Sequence, residues 1–343
     1  MVRISHSAKE KYIECGEKWR LHYQEKLRSP ILNSPLWGGG AFDDAASAML
    51  LRLKKDLTEE EKALTAQDPR RVLVNSMTYT NHNGEKVFIP TYRFTKYSKA
   101  DFDVSLLESE DFKLINDMEI CNEYEDFNRE TAQGFVEFCR NEIKTKYKLD
   151  ANDQMVFNLI NWYAFKNKLL YLLDRYEEDV MPKIQEVFSV QRKVELESGE
   201  HTLIGYIDFE ATWKDEPDKV YTCDNKLSSK AYYQSNIDEA EQLATYCEFT
   251  GNDNGCYVNT EKVLRKREPK HRIQIIRGDI TEELYEKTFD NFGEVVHNIE
   301  EGIFEKNMEG GCFSYGQRCI YYNTCRGEPE KDFLVDLKKD KEL

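Results

Sequence analysis

The sequence predicts an α/β protein in which a small mixed β-sheet is flanked by helices. Runs rich in β-branched and aromatic residues, separated by turn residues, are concentrated between residues 184 and 277 and predict the strands. Residues 41–180 predict mainly helices with charged faces, and residues 281–305 predict a final helix. The chain therefore combines a sheet region with a large helical portion.

The N-terminal region predicts two helices. Ser5 or Ser7 can cap a first helix that extends to about Arg28. A second helix, over residues 41–55, is entered through Gly38-Gly39-Gly40. Glycine lets a backbone approach a neighbouring element or a phosphate closely, but it also suits a flexible turn. The sequence leaves both interpretations open.

Two segments of the middle region have contrasting patterns. Residues 72–97 are rich in Tyr, Thr and Asn and predict a hairpin around residues 81–84. Residues 155–176 form a strongly apolar helical pattern, which is more typical of a core than of a functional site.

The most informative pattern is a predicted hairpin that carries two acids. Residues 203–212 and 220–226 predict its strands, and the turn residues between them predict a loop near Glu216. In this register Asp208 lies opposite Asp224, with Cβ atoms roughly 4.5–5.5 Å apart. Strand periodicity places Lys226 on the same face as Asp224. One patch thus gathers two carboxylates and an ammonium.

This combination predicts a metal site beside a lysine. Two adjacent carboxylates repel each other unless a cation lies between them, and hard oxygen ligands favour Mg²⁺ or Mn²⁺. Such a metal would acidify a water molecule and neutralise a phosphate, and Lys226 could orient or deprotonate that water. A helix over residues 238–249 places Gln242 and Tyr246 on one face. The alternative is an ordinary pair of solvated acids with Lys226 as a salt-bridge partner.

Charge and hydropathy limit the possible functions. The net charge of −16 argues against a protein that coats nucleic acid indiscriminately. No apolar run reaches membrane-spanning length, and the first residues lack the apolar core of a signal peptide, so we expect a cytoplasmic protein without a membrane partner.

A basic segment follows the candidate site and could bind a nucleic-acid backbone or form a solvated edge. Its cationic residues are Lys262, Arg265, Lys266, Arg267, Lys270, Arg272 and Arg277.

Nine cysteines in a chain of this kind are not expected to form disulfides. Cys121, Cys139, Cys223, Cys247 and Cys256 have apolar neighbours and predict small core residues. Cys312, Cys319 and Cys325 instead crowd a glycine-flanked C-terminal segment. Three thiols at this spacing predict a ligand loop.

With these motifs in place, the chain resembles the PD-(D/E)xK nuclease superfamily. It is most similar to the RecB-like branch, which includes the AddB nuclease domain and CRISPR-associated nucleases of adaptation. The similarity rests on the Gly-x-x-Asp, Asp-x-Lys and Gln-x-x-x-Tyr motifs between Gly205 and Tyr246, and on an opening helix with Cys15 and Trp19. These motifs cover about a third of the chain.

The resemblance implies a restriction-endonuclease-like fold and a set of site residues. Asp208 and Asp224 would be ligands of Mg²⁺ or Mn²⁺, with the carbonyl of Asn225 as a further ligand, and Lys226 would be the catalytic lysine. Gln242 and Tyr246 would position the phosphate and the lysine, and Glu186 would be a supporting acid. Where many relatives have a histidine ligand, this chain has Asp43 or, with the alignment shifted by one residue, Asp44.

The resemblance also implies a [4Fe-4S] cluster held by Cys15, Cys312, Cys319 and Cys325, which would staple the two ends of the chain together. The gap between Cys312 and Cys319 is longer than is usual in the family, so zinc or reduced cysteines without a metal are alternatives.

The implied organisation has four regions. They are the first-cysteine helix (1–40), a helical insertion (41–180), the nuclease core (181–300) and the C-terminal cysteine loop and tail (301–343). The expected activity is cleavage of DNA, from an end, in recombination, repair or DNA processing, with a helicase or recombination protein as partner. The alternative is a non-catalytic DNA-binding subunit of such a complex.

Overall fold

The computed structural model describes residues 2–28, 34–77, 132–145, 153–198, 201–263, 270–314, 317–328 and 334–336. The predicted hairpin at residues 81–84, Cys121 and the basic residues Arg265, Lys266 and Arg267 lie outside these ranges. The strands are β1 (Arg3–Ser5), β2 (Leu27–Arg28), β3 (Ile184–Ser198), β4 (His201–Trp213), β5 (Glu216–Ser228), β6 (Asn254–Glu261), β7 (Ile273–Asp279), β8 (Phe313–Ser314), β9 (Gln317–Arg318) and β10 (Val335–Asp336).

The α-helices of the described residues are α1 (His6–Glu14), α2 (Gly16–Trp19), α3 (Ser34–Leu50), α4 (Glu59–Thr65), α5 (Pro69–Ser76), α6 (Ala132–Thr145), α7 (Asp153–Asp179), α8 (Ser235–Asp238), α9 (Glu241–Thr250), α10 (Glu282–Glu300) and α11 (Tyr322–Arg326). A π-helical turn (Arg20–Gln24) and two short 3₁₀ turns (Leu51–Leu53 and Met181–Lys183) complete the helical segments.

A six-stranded mixed sheet forms the centre of the fold, as predicted. β3 runs antiparallel to β4, whose other edge is shared by two strands. β1 lies parallel to residues 202–204 of β4, and β5 lies antiparallel to residues 209–213. β5 then pairs in parallel with β6, and β6 pairs with β7 in antiparallel fashion. The parallel step requires a crossover, which α8 and α9 provide.

Helices cover both faces of this sheet. Cys256 and Val258 of β6 pack in a core with α3, α5 and α7, whereas Tyr257 packs in a second core with α9. Because successive strand residues face opposite sides, the two helix groups lie on opposite faces. A third core joins α1 and α10 to the beginning of β4. None of the helices in the described ranges combines the length and the apolar character needed to span a bilayer.

The first predicted helix is interrupted at Cys15. α1 ends at Glu14, Cys15 adopts an extended conformation with φ −171° and ψ 114°, and α2 begins at Gly16. A Cβ at Gly16 would lie 2.9 Å from the backbone nitrogen of Glu305, so a distant segment packs directly against the break. The prediction of one uninterrupted helix to Arg28 is wrong because helical periodicity carries no information about this contact.

The triple glycine lies inside α3 and not before it, so the prediction of a helix that starts at residue 41 is also wrong. A Cβ on Gly38 would lie 2.3 Å from Cε1 of Phe165 on α7. Gly38 therefore allows α3 to approach α7 closely. Of the two interpretations of the triple glycine, close approach to a neighbouring element applies to Gly38, and that element is the α7 helix with its Phe165 side chain.

Candidate active site

Asp208 and Asp224 meet where β4 and β5 separate. The hairpin pairs Phe209 with Cys223, so the same register sets Asp208 opposite Asp224, as the sequence predicts. At this point the backbone N–H of Asn225 donates to Oδ2 of Asp208 at 2.7 Å. Along one edge of β4, β1 pairs with residues 202–204 and β5 pairs with residues 209–213, so the two partner strands diverge across residues 205–208. This point of divergence is here called the fork, and both acids lie at it.

Lys226 lies beside Asp224 and is held by α9. Its Nζ is 2.5 Å from Oδ2 of Asp224 and donates to Oε1 of Gln242 at 2.8 Å. The amide nitrogen of Gln242 donates to Oδ1 of Asp224 and to the hydroxyl of Tyr246, both at 3.0 Å. The i,i+4 spacing of Gln242 and Tyr246 thus gives one helix face that contacts both the acid and the lysine.

Gly205 makes room for this helix face. An ideal Cβ at Gly205 would lie 2.5 Å from Cε1 of Tyr246 and 3.3 Å from a methyl group of Val194. Any larger residue would therefore push the Tyr246 ring away from the strand. The glycine and the tyrosine of the two motifs form a matched contact.

Asp43 approaches the acids from α3. Its Oδ2 accepts a hydrogen bond from Nε2 of Gln191 at 2.6 Å, and its Oδ1 accepts one from Nδ2 of Asn225 at 3.3 Å. The hydroxyl of Tyr176 donates to Oδ1 of Asn225 at 2.9 Å and fixes that amide. Asp44 is exposed. Asp43, and not its neighbour, is the acid that α3 turns towards the fork.

The electrostatics of the three acids reflect burial and mutual repulsion. Burial, followed by the charges of Asp224 and Asp43, raises the pKa of Asp208 well above its usual range. Burial also raises the pKa of Asp43, to about 6, with Asp224 adding to the effect. Burial raises the pKa of Asp224 against the opposing charge of Lys226. Burial alone would lower the pKa of Lys226, but Asp224 outweighs it and raises that pKa, so the lysine is an ammonium.

The donor set fits a divalent cation in its chemistry. Three carboxylates supply oxygen ligands only, and an ion between them would relieve the repulsion that raises the pKa of Asp208. Within the described residues, no group of three or more His, Cys, Asp or Glu side chains is already arranged to hold a metal ion. The oxygens are instead directed to Asn225, Gln191 and Lys226. Shared coordination would require these side chains to turn from their present partners.

A family model described as the PD-(D/E)XK nuclease superfamily matches residues 3–326. The chain belongs to this superfamily. The membership makes the protein a nuclease, a hydrolase of phosphodiester bonds, and agrees with the restriction-endonuclease-like arrangement of its mixed sheet and flanking helices. The superfamily typically uses divalent metal ions such as Mg²⁺.

The chain is also similar to two solved structures. The protein SSO0001 is 15% identical with a TM-score of 0.26, over 47% of this chain and 74% of that one. A predicted exonuclease from Eubacterium rectale is 13% identical with a TM-score of 0.31, over 60% of this chain and 78% of that one. A search of curated proteins gave no significant match.

Glu186 does not join the acids of this nuclease. It lies on β3 and pairs with Thr212 of β4. Thr212 is four residues after Asp208, which places Glu186 about 13 Å along the strand from that acid. Its carboxylate forms an ion pair with Lys55 at 2.7 Å. The structure therefore corrects the expectation of a supporting acid at this position: the β3 residue that faces Asp208 is Gln191, between Val190 and Arg192.

Of the basic residues that the structure describes, Lys262, Lys270 and Arg272 lie at the same end of the sheet as Lys226, whereas Arg277 lies at the other end. The backbone N–H of Lys262 donates to the carbonyl of Ser228 at 2.7 Å, two residues beyond Lys226. Lys270 is exposed, and Nε of Arg272 lies 3.9 Å from the buried carboxylate of Glu261. Arg277 is committed elsewhere, because it forms ion pairs with the turn between β4 and β5.

Four cysteines from both ends of the described chain line one pocket, here called the thiol pocket: Cys15, Cys312, Cys319 and Cys325. The backbone N–H of Asn307 donates to Sγ of Cys15 at 3.5 Å, and the N–H of Cys319 donates to the carbonyl of Cys312 at 2.8 Å. All four are free thiols. The donor chemistry fits a thiophilic group, but within the described residues no three of these thiols are already arranged to hold a metal ion. Cys139, Cys223, Cys247 and Cys256 are buried core residues, as predicted.

Sequence reasoning missed Gln191 and Tyr176 as neighbours of the acids. Gln191 has a positive φ of 51°, which is uncommon outside glycine and turns its amide towards Asp43. In the sequence, Gln191 is recognisable only as a polar residue inside a predicted strand, which does not indicate a site residue. Tyr176 ends an apolar helical run, and a hydroxyl there is the one sequence feature that could have indicated a polar partner.

Proposed function

We propose that the protein is a divalent-metal-dependent deoxyribonuclease that cleaves DNA from an end. The observation that carries the proposal is the contact set of Asp208, Asp224 and Lys226, with Gln242 bonded to both the second acid and the lysine. A stabilising salt bridge alone would not need a third acid, yet the half-buried Asp43 faces the same fork through Asn225.

Each side chain has a defined task in this proposal. Asp208, Asp224, Asp43 and the carbonyl of Asn225 would hold Mg²⁺ or Mn²⁺. When bound, the ion supplies an acidified water and charge neutralisation at the phosphate. The ammonium of Lys226 orients that water or donates to a phosphate oxygen, and Gln242 and Tyr246 hold the lysine in position.

The DNA backbone would pass over the β6–β7 end of the sheet. Lys262, Lys270 and Arg272 lie beyond Lys226 at this end, and the segment between them also contains Arg265, Lys266 and Arg267. A cluster of cations can attract phosphate locally even on a protein whose net charge is −16. Strand separation would be supplied by a partner such as a helicase or recombination protein.

Cleavage of defined DNA substrates tests the activity. We expect the wild type with Mn²⁺ to degrade end-labelled linear DNA and to leave closed circular DNA intact. Asp208→Ala, Asp224→Ala and Lys226→Ala should each abolish cleavage while urea unfolding stays cooperative. Full activity in any of the three variants would overturn the assignment, and DNA binding without product would favour the non-catalytic alternative.

We further propose that the thiol pocket holds a [4Fe-4S] cluster. The support is that four free thiols from the two ends of the chain line a single pocket, with an N–H directed at Sγ of Cys15. Anaerobically purified protein should be brown and contain iron and sulfide in equal amounts. Cys319→Ser should lose the colour and unfold at lower urea concentration; colourless protein that contains zinc would replace the cluster with a zinc site.

A further inference from the structure

Lys9 is a lysine without exposed surface. It lies in the middle of α1, and its side chain is fully buried. Its ammonium forms an ion pair with Glu241 on α9 and lies 4.9 Å from the centre of the Phe292 ring on α10. A carboxylate oxygen of Glu10 also lies near it, at 3.3 Å. Removing an ammonium from water carries a large desolvation cost, which its buried partners must offset.

Glu241 is shared by three helices. Besides Lys9 of α1, its carboxylate accepts a hydrogen bond from Nδ2 of Asn291 on α10 at 2.8 Å, and Nζ of Lys287 lies 3.7 Å away. Burial opposes ionisation of Glu241, but the hydrogen bond and charge of Lys9, with smaller effects of Lys287 and Asn291, outweigh it and lower its pKa. The carboxylate is therefore charged, and it ties α1 and α10 to the first residue of α9.

The ion pair lies next to the catalytic contacts. Glu241 begins α9 and directly precedes Gln242, whose amide bonds to Lys226, Asp224 and Tyr246. The residue before α9 is Ala240, whose methyl group cannot cap a helix. The first turn of α9 thus depends on side chains from other elements, and Lys9 provides the buried one.

We propose that Lys9 is a positioning residue for catalysis: through Glu241 it fixes the first turn of α9 and so holds the amide of Gln242 between Lys226 and Asp224. The inference rests on the proposed nuclease function. Two apolar residues could fill the same space at a lower desolvation cost, but only a directional pair fixes the rotation of the helix. The ion pair therefore stabilises the fold less than an apolar pair would, but it fixes the orientation of α9.

A comparison of three variants separates orientation from stability. Lys9→Met should lower both the urea midpoint and kcat, because the charge of Glu241 loses its buried partner. Lys9→Met combined with Glu241→Leu should regain most of the lost midpoint, since an apolar pair replaces the ion pair and only the contacts of Glu241 with Asn291 and Lys287 remain lost. Its kcat on linear DNA with Mn²⁺ should nevertheless stay on the order of 10²-fold below wild type, at an unchanged KM, because Gln242 is displaced.

Lys54→Met is the matched control. Lys54 forms a partly buried ion pair with Glu61 at 2.5 Å, away from α9. Its loss should lower the urea midpoint and leave kcat unchanged. If the double variant regains stability together with the wild-type kcat, Lys9 has a structural role only and the inference is overturned.

A crystal structure of the double variant decides the inference independently of activity. Wild-type protein that is as inactive as Lys226→Ala would overturn the proposed function but not the positioning role. In that case, a distance from Nζ of Lys226 to Oε1 of Gln242 that remains at 2.8 Å overturns the inference, and a widened distance supports it.

Discussion

Asp43 is a carboxylate whose two oxygens are both directed by amides. Gln191 and Asn225 each donate to one oxygen, and Tyr176 fixes Asn225 in turn. These hydrogen bonds hold the Asp43 side chain in one rotamer, from which it would have to turn to bind the proposed metal. Asp43 is thus turned towards the two strand acids, whereas the next residue of α3, Asp44, is exposed.

Gly205→Ala tests the contact between the strand glycine and Tyr246. The added methyl would lie 2.5 Å from Cε1 of Tyr246, so the ring must move and its hydrogen bond to Gln242 must lengthen. We expect a loss of about 1–3 kcal/mol in the free energy of unfolding, as is typical of overpacking, together with reduced cleavage. Urea unfolding and a DNA cleavage assay measure the two effects.

Gly293→Ala is the control for this substitution. Gly293 lies in α10, is exposed, and has no heavy atom within 4 Å of an ideal Cβ among its described surroundings. Alanine there should stabilise the protein by about 0.5–1 kcal/mol without changing activity. Equal behaviour of the two alanine variants would contradict the steric role of Gly205.

At the scale of elements, the β6–β7 hairpin carries two kinds of cation. Arg277 lies 5.6 Å from the ring centres of both Trp213 and Tyr221, and it forms ion pairs with Asp215 at 2.6 Å and Glu216 at 2.8 Å. It therefore fastens β7 to the turn between β4 and β5. Lys270, at the other end of the hairpin, is exposed.

Lys270→Ala and Arg277→Ala should consequently have opposite signatures. Loss of Lys270 should leave urea unfolding unchanged. It should reduce the slope of the logarithm of the DNA-binding constant against the logarithm of salt concentration by about one, as expected for one lost phosphate contact. Loss of Arg277 should cost about 1–2 kcal/mol of stability through its aromatic contacts. Binding isotherms at several salt concentrations and urea unfolding measure both; a salt slope that Lys270→Ala leaves unchanged would remove this residue from the DNA surface.

At the scale of the whole molecule, His6 links the stability of the fold to pH. Burial, followed by the charges of Lys9 and Lys226, lowers the pKa of His6 to about 4, and only Glu241 opposes this effect. The unfolded chain protonates this histidine near its ordinary pKa of about 6.5. As pH falls below that value, the unfolded state takes up a proton that the folded state does not, so stability decreases.

His6→Gln should flatten this part of the stability profile. Relative to the variant, the wild type should lose about 2 kcal/mol more between pH 7.5 and pH 5, because the folded state remains unprotonated over this interval. Urea unfolding at a series of pH values measures the difference, with the exposed His297→Gln as control. Parallel profiles for the wild type and His6→Gln would contradict the effect.

Local periodicity accounts for the parts of the molecule that the sequence could predict. The register of Asp208 with Asp224, the face of Lys226 and the i,i+4 pair on α9 all follow from rules within a hairpin or a helix. The break at Cys15 and the place of Gly38 inside α3 depend instead on distant partners, Glu305 and Phe165. Lys9 likewise has no local signal, because a helical lysine ordinarily faces solvent.

The β4–β5 hairpin also bears on the order of events during folding. Contacts between residues that are close in sequence lose little loop-closure entropy and form early, whereas distant ones form slowly. Asp208 and Asp224 can meet across one short turn, but the partnership of Lys9 with Glu241 and the assembly of the thiol pocket close far longer loops. A nascent chain would thus bring its acids together before α9 is fixed over them, and competence for cleavage would be among the last properties that the folding chain acquires.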